Sequence, residues 1–157
     1  GYTNSGKSTL FNDIKKKNEY AKDELFATLD TKISKLFLNN SHSTTIIDTV
    51  GFISDIPTQL IDAFKATLEE VNQSDTLINV VDINDQNFVE KIKITKKILL
   101  ETGVKNEKIV NMITVFNKID KLSNKKFKNT KNRFYVSALK KTGIEQFRGG
   151  LINAITE

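Results

Sequence analysis

The chain has 157 residues, no cysteine, one proline and a net charge of +5. That is one domain's worth of chain, enough to bury a core without disulfides. Thiolate chemistry is excluded, and no apolar run approaches the ~18 residues of a membrane span. The lack of cysteine suits a reducing compartment, and no signal peptide is visible. Lysine supplies nearly all the positive charge, because Arg133 and Arg148 are the only arginines. Two readings of that bias stand side by side: an AT-rich coding preference, which favours Lys, Asn and Ile, or a surface that faces nucleic acid.

The elements alternate along the chain. The segment "STLFNDIKKK" predicts a helix ending in a solvated lysine run. "EYAKDELFATLDT" has no period and reads as a loop. "KISKLFL" and "STTIIDT" predict two strands of a hairpin, joined by a turn at "NNSH" that carries His42, read as a surface residue. "PTQLIDAFKATLEEV" places Leu60, Ile61, Phe64, Leu68 and Val71 at helical spacing behind Pro57, with Glu69 and Glu70 facing water. Buried strands are expected at "TLINVVDI" and "MITVFNK", with a helix between them that stops at Gly103. The stretch from Lys121 to Lys131 is polar and unassigned. "RFYVSA" predicts a last strand and "GIEQFRGGLINAI" a last helix, weakened by Gly149 and Gly150 at roughly 1 kcal/mol each. This alternation implies an α/β fold with a mostly parallel sheet covered on both faces, and no linker or second domain.

Four motifs sit at strand ends, in order. Gly1 to Ser8 fits G-x-x-x-x-G-K-S, the phosphate loop. Its backbone amides, over Gly1, Tyr2, Thr3, Asn4, Ser5 and Gly6, turn inward on phosphate oxygens. Lys7 reaches the outer two phosphates, Ser8 ligates magnesium, and the helix running on through Thr9 aims its positive end at the anions. "DTVG" follows a strand: Asp48 is placed to hold Mg2+ through water, and the Gly51 N–H to sense a third phosphate. "NKID" follows another: Asp120 can accept from guanine N1–H and N2–H, Lys118 lies along the base, and Asn117 braces the phosphate loop. In "VSAL", Ser137 to Leu139, the Ala138 N–H is placed to meet guanine O6. Any one of these could be an ordinary strand-ending turn. Together they describe a guanine-nucleotide switch at the edge where open α/β sheets bind ligands.

"GYTNSGKSTLFN", "LFATLD", "DTVGFISDIP", "AFKATLEEV", "VVDIND" and "FNKID" together resemble the G domain of the HflX family, relatives of the Obg- and Era-type translation GTPases. The resemblance spans essentially the whole chain. It implies a three-layer P-loop fold, GTP and GDP as ligands, and GTP hydrolysis. It makes the loop around Phe26 and Thr28 the first switch, with Thr28 joining magnesium when GTP is bound and Thr31 as second candidate. Read bottom-up, Thr28 caps a turn and Phe26 packs. Phe52 stands where many relatives carry a water-orienting glutamine, so unaided turnover is expected to be slow. Asn4 matches an asparagine that in some relatives ligates K+. "DTKIS" departs from the family's usual first-switch continuation.

The same resemblance implies a monomer in the cytoplasm, or in an organelle, that binds the large ribosomal subunit and its rRNA and separates stalled ribosomes. Relatives carry a further domain and a strand before the phosphate loop. Residues 1–157 are therefore expected to be the G domain of a longer protein, its first strand missing and an open slot in its sheet. From Lys121 to Lys141 there are eight basic residues and no acidic one, a solvated face or a contact for rRNA phosphates. Three rivals remain: an Obg- or Era-like role in ribosome assembly or RNA modification, an ATP-dependent P-loop enzyme, against which "NKID" argues, and a non-catalytic nucleotide tether.

Overall fold

The computed structural model describes residues 1–16, 32–37, 43–49, 51, 69–123 and 125–156. In order, they form α1 (Lys7–Lys16), β1 (Lys32–Phe37), β2 (Ser43–Asp48), the end of a helix α2 at 69–73, β3 (Ile78–Asp82), α3 (Phe88–Glu101), a short α4 (Asn106–Val110), β4 (Ile113–Asn117), a 3-10 turn (Ile119–Lys121), β5 (Arg133–Tyr135) and α5 (Ile144–Thr156). Strands β3, β4 and β5 make a parallel sheet in that order, while β1 and β2 pair antiparallel as the expected hairpin. The segment around "FATLD", expected as a loop, and most of "PTQLIDAFKATLEEV", expected as a helix, lie outside the described residues.

Burial explains why each element forms. All five residues of β4 are buried, as a continuous apolar run in the centre of a parallel sheet requires. Leu10 and Ile14 of α1 meet Phe147 and Leu151 of α5 over Val80, Val115 and Val136. On the other side, Leu99 of α3 packs with Leu77, Val104, Ile109 and Met112. Helix α3 stops where expected: Gly103 takes φ +86°, and the Val104 N–H returns to Leu99 O at 3.0 Å. Arg148, almost fully buried, donates to Ile14 O at 2.7 Å and to Phe37 O at 3.0 Å. It thereby ties α5 to the end of α1 and to the hairpin.

Several expectations change here. The last strand is three residues, not six, because Ser137 and Thr142 pair across a turn that begins just after Val136. Helix α5 runs through both glycines. A Cβ on Gly150 would lie 2.1 Å from Phe134 Cζ, so the glycine is what lets the helix lie on that ring. Helix α4 had no sequence signal. Glu69 is exposed as expected, but Glu70 is half-buried.

Among the described residues, β2 and β3 fall in separate sheets, and a cleft of about 730 Å3 lies between them. Gly1, Ile46, Ile47, Ile78, Asn79 and Leu151 are among its walls. Both polar atoms of the buried Asn79 amide lack a hydrogen-bond partner among the described residues.

Candidate functional site

The parallel register sets Asp82 of β3 beside Asn117 of β4, at the strand ends the loop crosses. The loop itself is shaped by two left-handed residues, Asn4 at φ +63° and Gly6 at φ +89°. Asparagine tolerates that region better than most side chains, and glycine enters it freely. At Gly6 there is a second reason: a Cβ would fall 2.3 Å from Asn117 Nδ2. Lys7 begins α1, and its ammonium donates back to Tyr2 O at 3.0 Å. Burial lowers the Lys7 pKa from its ordinary value, and the nearby Asp48 carboxylate partly offsets this. A polyphosphate placed on it would favour the charged form.

Asp48 ends β2, and its Oδ2 accepts from Ser8 Oγ at 3.0 Å. Gly51 follows closely: a Cβ there would lie 2.6 Å from Lys7 Nζ and 2.9 Å from Thr3 N. Gly51 therefore lies against the phosphate loop. Ser8 and Asp48 offer a hydroxyl and a carboxylate, hard oxygens that suit magnesium. No group of three or more His, Cys, Asp or Glu that could hold a metal occurs among the described residues. This pair fits an ion that brings most of its ligands with it as phosphate and water, not one caged by protein.

Asn117 is the hub. It is 2% exposed; its Nδ2 donates to Ser5 O and its Oδ1 accepts from the Ala138 N–H, both at 3.0 Å. One side chain thus binds the phosphate loop to "NKID" and to "VSAL". Asn117, expected to brace the phosphate loop, donates to a carbonyl of that loop. The Ala138 N–H, expected to meet guanine O6, donates to Asn117 Oδ1 in this structure. Ser137 Oγ donates to Asp120 Oδ1 and accepts from the Lys140 N–H. Asp120 itself is exposed, open to a ligand. Thr3 and Thr9 are also exposed, and Leu139 is 74% exposed.

Lys118 sits in the left-handed region at φ +67° and donates to Asn4 O at 2.7 Å and to Asp82 Oδ2 at 2.6 Å. The Asp82 partner was missed from sequence, although "VVDIND" was on view. A carboxylate at a strand end, in register with the residue before a lysine, was the available signal. Phe26, Thr28, Thr31, His42 and Phe52 lie outside the described residues.

The family of 50S ribosome-binding GTPases matches residues 1–118. The chain belongs to that family. Within it, the chain is similar to the GTPase HflX of Caldanaerobacter subterraneus subsp. tengcongensis, 42% identical over 93% of this chain and 33% of the relative. It is 39% identical to the GTPase HflX of Escherichia coli K12 over its whole length and 37% of that relative. The chain thus spans about a third of these curated relatives. Among solved structures, a GTP-binding protein of Sulfolobus solfataricus in complex with GDP matches with a TM-score of 0.78 and 31% identity, over 99% of this chain and 50% of that one. The HflX resemblance and the P-loop α/β fold read from the motifs therefore hold. The chain has the G-domain architecture of that family. None of its described helices is long and apolar enough to cross a membrane.

Proposed function

We propose that this chain is a guanine-nucleotide switch of HflX type that hydrolyses GTP to GDP and phosphate, slowly without a partner. The observation that carries this is the Asn117 bridge, which joins phosphate loop, base-specificity motif and "VSAL" turn through one buried side chain. Lys7 and the loop amides hold the phosphates and stabilise charge developing on the third phosphate during in-line attack by water. The Gly51 N–H, close to Lys7, senses that phosphate. Ser8 and Asp48, with Thr28 from the first switch, would hold magnesium, which when bound neutralises phosphate charge. Asp120 selects guanine, oriented by Ser137. The Ala138 N–H reaches O6 only by sharing itself with Asn117.

The proposed output is a changed affinity for the large ribosomal subunit, and in the whole protein the separation of stalled ribosomes, in the cytoplasm or an organelle. Its ground is the family and the kinship with HflX proteins. Turnover of the full-length protein should rise at least tenfold with large subunits, and intact ribosomes should split in a GTP-dependent way. Turnover without splitting would favour the assembly or RNA-modification role. Bound GTP with no turnover in either condition would leave a tether.

The basic stretch supports an RNA-facing edge. Lys121, Lys125, Lys126, Lys128, Lys131, Arg133, Lys140 and Lys141 are all exposed. The stretch is held against β5 by the Tyr135 N–H, which donates to Asn129 Oδ1 at 3.1 Å, and by Phe127 stacked on Tyr135 at 4.8 Å. Co-sedimentation with large subunits should weaken steeply as salt rises. Replacing Lys125, Lys126 and Lys128 together by Glu should flatten that slope by about three contacts' worth. An unchanged slope in the triple variant would place the RNA contact on another face.

Asn4 is proposed as a ligand for K+ beside the phosphates. Turnover should then be several-fold faster in potassium than in sodium at equal ionic strength, and equal rates would remove the ion from the scheme.

A further inference from the structure

Lys118 is an unlikely place for a lysine to be still. Its long side chain has much rotamer freedom to lose. Its backbone lies at φ +67°, a region that strains an L-residue with a side chain. Something must hold both the main chain and the ammonium, and the structure shows one group doing so.

That group is the carboxylate of Asp82. Its Oδ2 accepts from Lys118 Nζ at 2.6 Å. Its Oδ1 accepts from the Asn84 N–H at 3.0 Å and from Asn84 Nδ2 at 3.2 Å. Asn84 Nδ2 then donates to Lys118 O at 2.9 Å. One oxygen grips the lysine's charge; the other, through Asn84, grips its carbonyl. The ammonium reaches on to Asn4 O at 2.7 Å, in the phosphate loop. Both partners of the ion pair are largely covered, with side chains 27% and 22% exposed, so water screens it less than a surface pair. Burial works to raise the Asp82 pKa, but the hydrogen bonds from Lys118 and Asn84 outweigh it and hold the carboxyl below its usual value. Two residues after Lys118 comes Asp120, in the 3-10 turn whose leading carbonyl, Lys118 O, Asn84 holds.

We infer that Asp82 is a positioning residue for nucleotide binding, clamping Lys118 at its ammonium and, through Asn84, at its carbonyl, so that phosphate loop and base-reading turn are held in one geometry. This rests on the guanine-nucleotide reading. The clamp gives β3 a part in ligand affinity that none of the four sequence motifs assigns to it. It does so without Asp82 touching the nucleotide.

A double-mutant cycle in the full-length protein tests it, read by dissociation of a fluorescent GDP and by thermal melting. Asp82→Asn should speed GDP release roughly tenfold, the scale of a partly covered charge-assisted bond. Lys118→Met should speed it at least as much. In the Lys118→Met background Asp82→Asn should speed release by clearly less than the roughly tenfold it gives in the wild type, because only the carbonyl arm through Asn84 is left for the clamp to hold. Asp82→Glu, which keeps the charge but lengthens the arm, should recover part of the loss. Two independent, multiplying effects would overturn the clamp, as would an Asp82→Asn variant that releases GDP at the wild-type rate. A change in melting with no change in release would assign Asp82 to stability alone and equally overturn it. Wild-type protein that binds no GDP would instead defeat the nucleotide reading itself, and the clamp with it.

Discussion

Asp120→Asn should lose GTP affinity by roughly 10- to 150-fold and gain affinity for xanthosine triphosphate. A carboxylate accepts from both guanine N1–H and N2–H, and losing a charge-assisted bond costs ~1.5–3 kcal/mol. Xanthine carries a carbonyl in place of the 2-amino group, to which the asparagine amide can donate. The structure makes this a clean test. Asp120 is exposed, and its Oδ1 accepts from Ser137 Oγ. An asparagine oxygen can accept the same bond, so the turn has no reason to collapse. Calorimetry on the full-length protein measures both nucleotides. If the variant binds GTP as the wild type does, the base is not read at this position.

Asn117→Ala should be more damaging and of a different kind. The variant strands two buried partners at once: the Ser5 carbonyl and the Ala138 N–H, each 3.0 Å from the asparagine it loses. An unsatisfied buried polar group costs about 1–3 kcal/mol, so with two stranded groups folding stability should fall by about 2–6 kcal/mol. Nucleotide affinity should fall by more than about 100-fold, because loop and base site are no longer held together. Chemical denaturation and GDP titration separate the two effects. Asn117→Asp serves if the alanine variant does not fold: it keeps an acceptor for Ala138 but loses the donor to Ser5. A folded variant of either kind that retains GDP affinity within threefold would show that the bridge is incidental to binding.

What could be read from the chain was local. Glycine and lysine in "GYTNSGKS", an aspartate closing "TTIID", and "NKID" after an apolar run each place a polar group at a strand end, and the strands are recognisable by continuous or alternating burial. Helix α3 and its stop at Gly103 follow from the same local chemistry. The errors came where local signals are weak or absent. The five-residue α4 is too short to show a period. Strand β5 shortened because the Ser137–Thr142 pairing lies across the chain turn, not along the strand. The glycine pair in α5 looked like a defect until Phe134 was seen beside Gly150.

Residue types and order determined the ligand class: amides that can encircle phosphate, an ammonium to meet it, and one acid able to select guanine. These are properties of single turns, written within a few neighbouring residues. Register and packing decided how the turns act together. Only the alignment of β3 with β4 brings Asp82 within reach of Lys118, and only burial of Asn117 lets one amide answer to two distant loops. Such pairings depend on contacts 36 and 112 residues apart along the chain, distances over which local propensity carries no information.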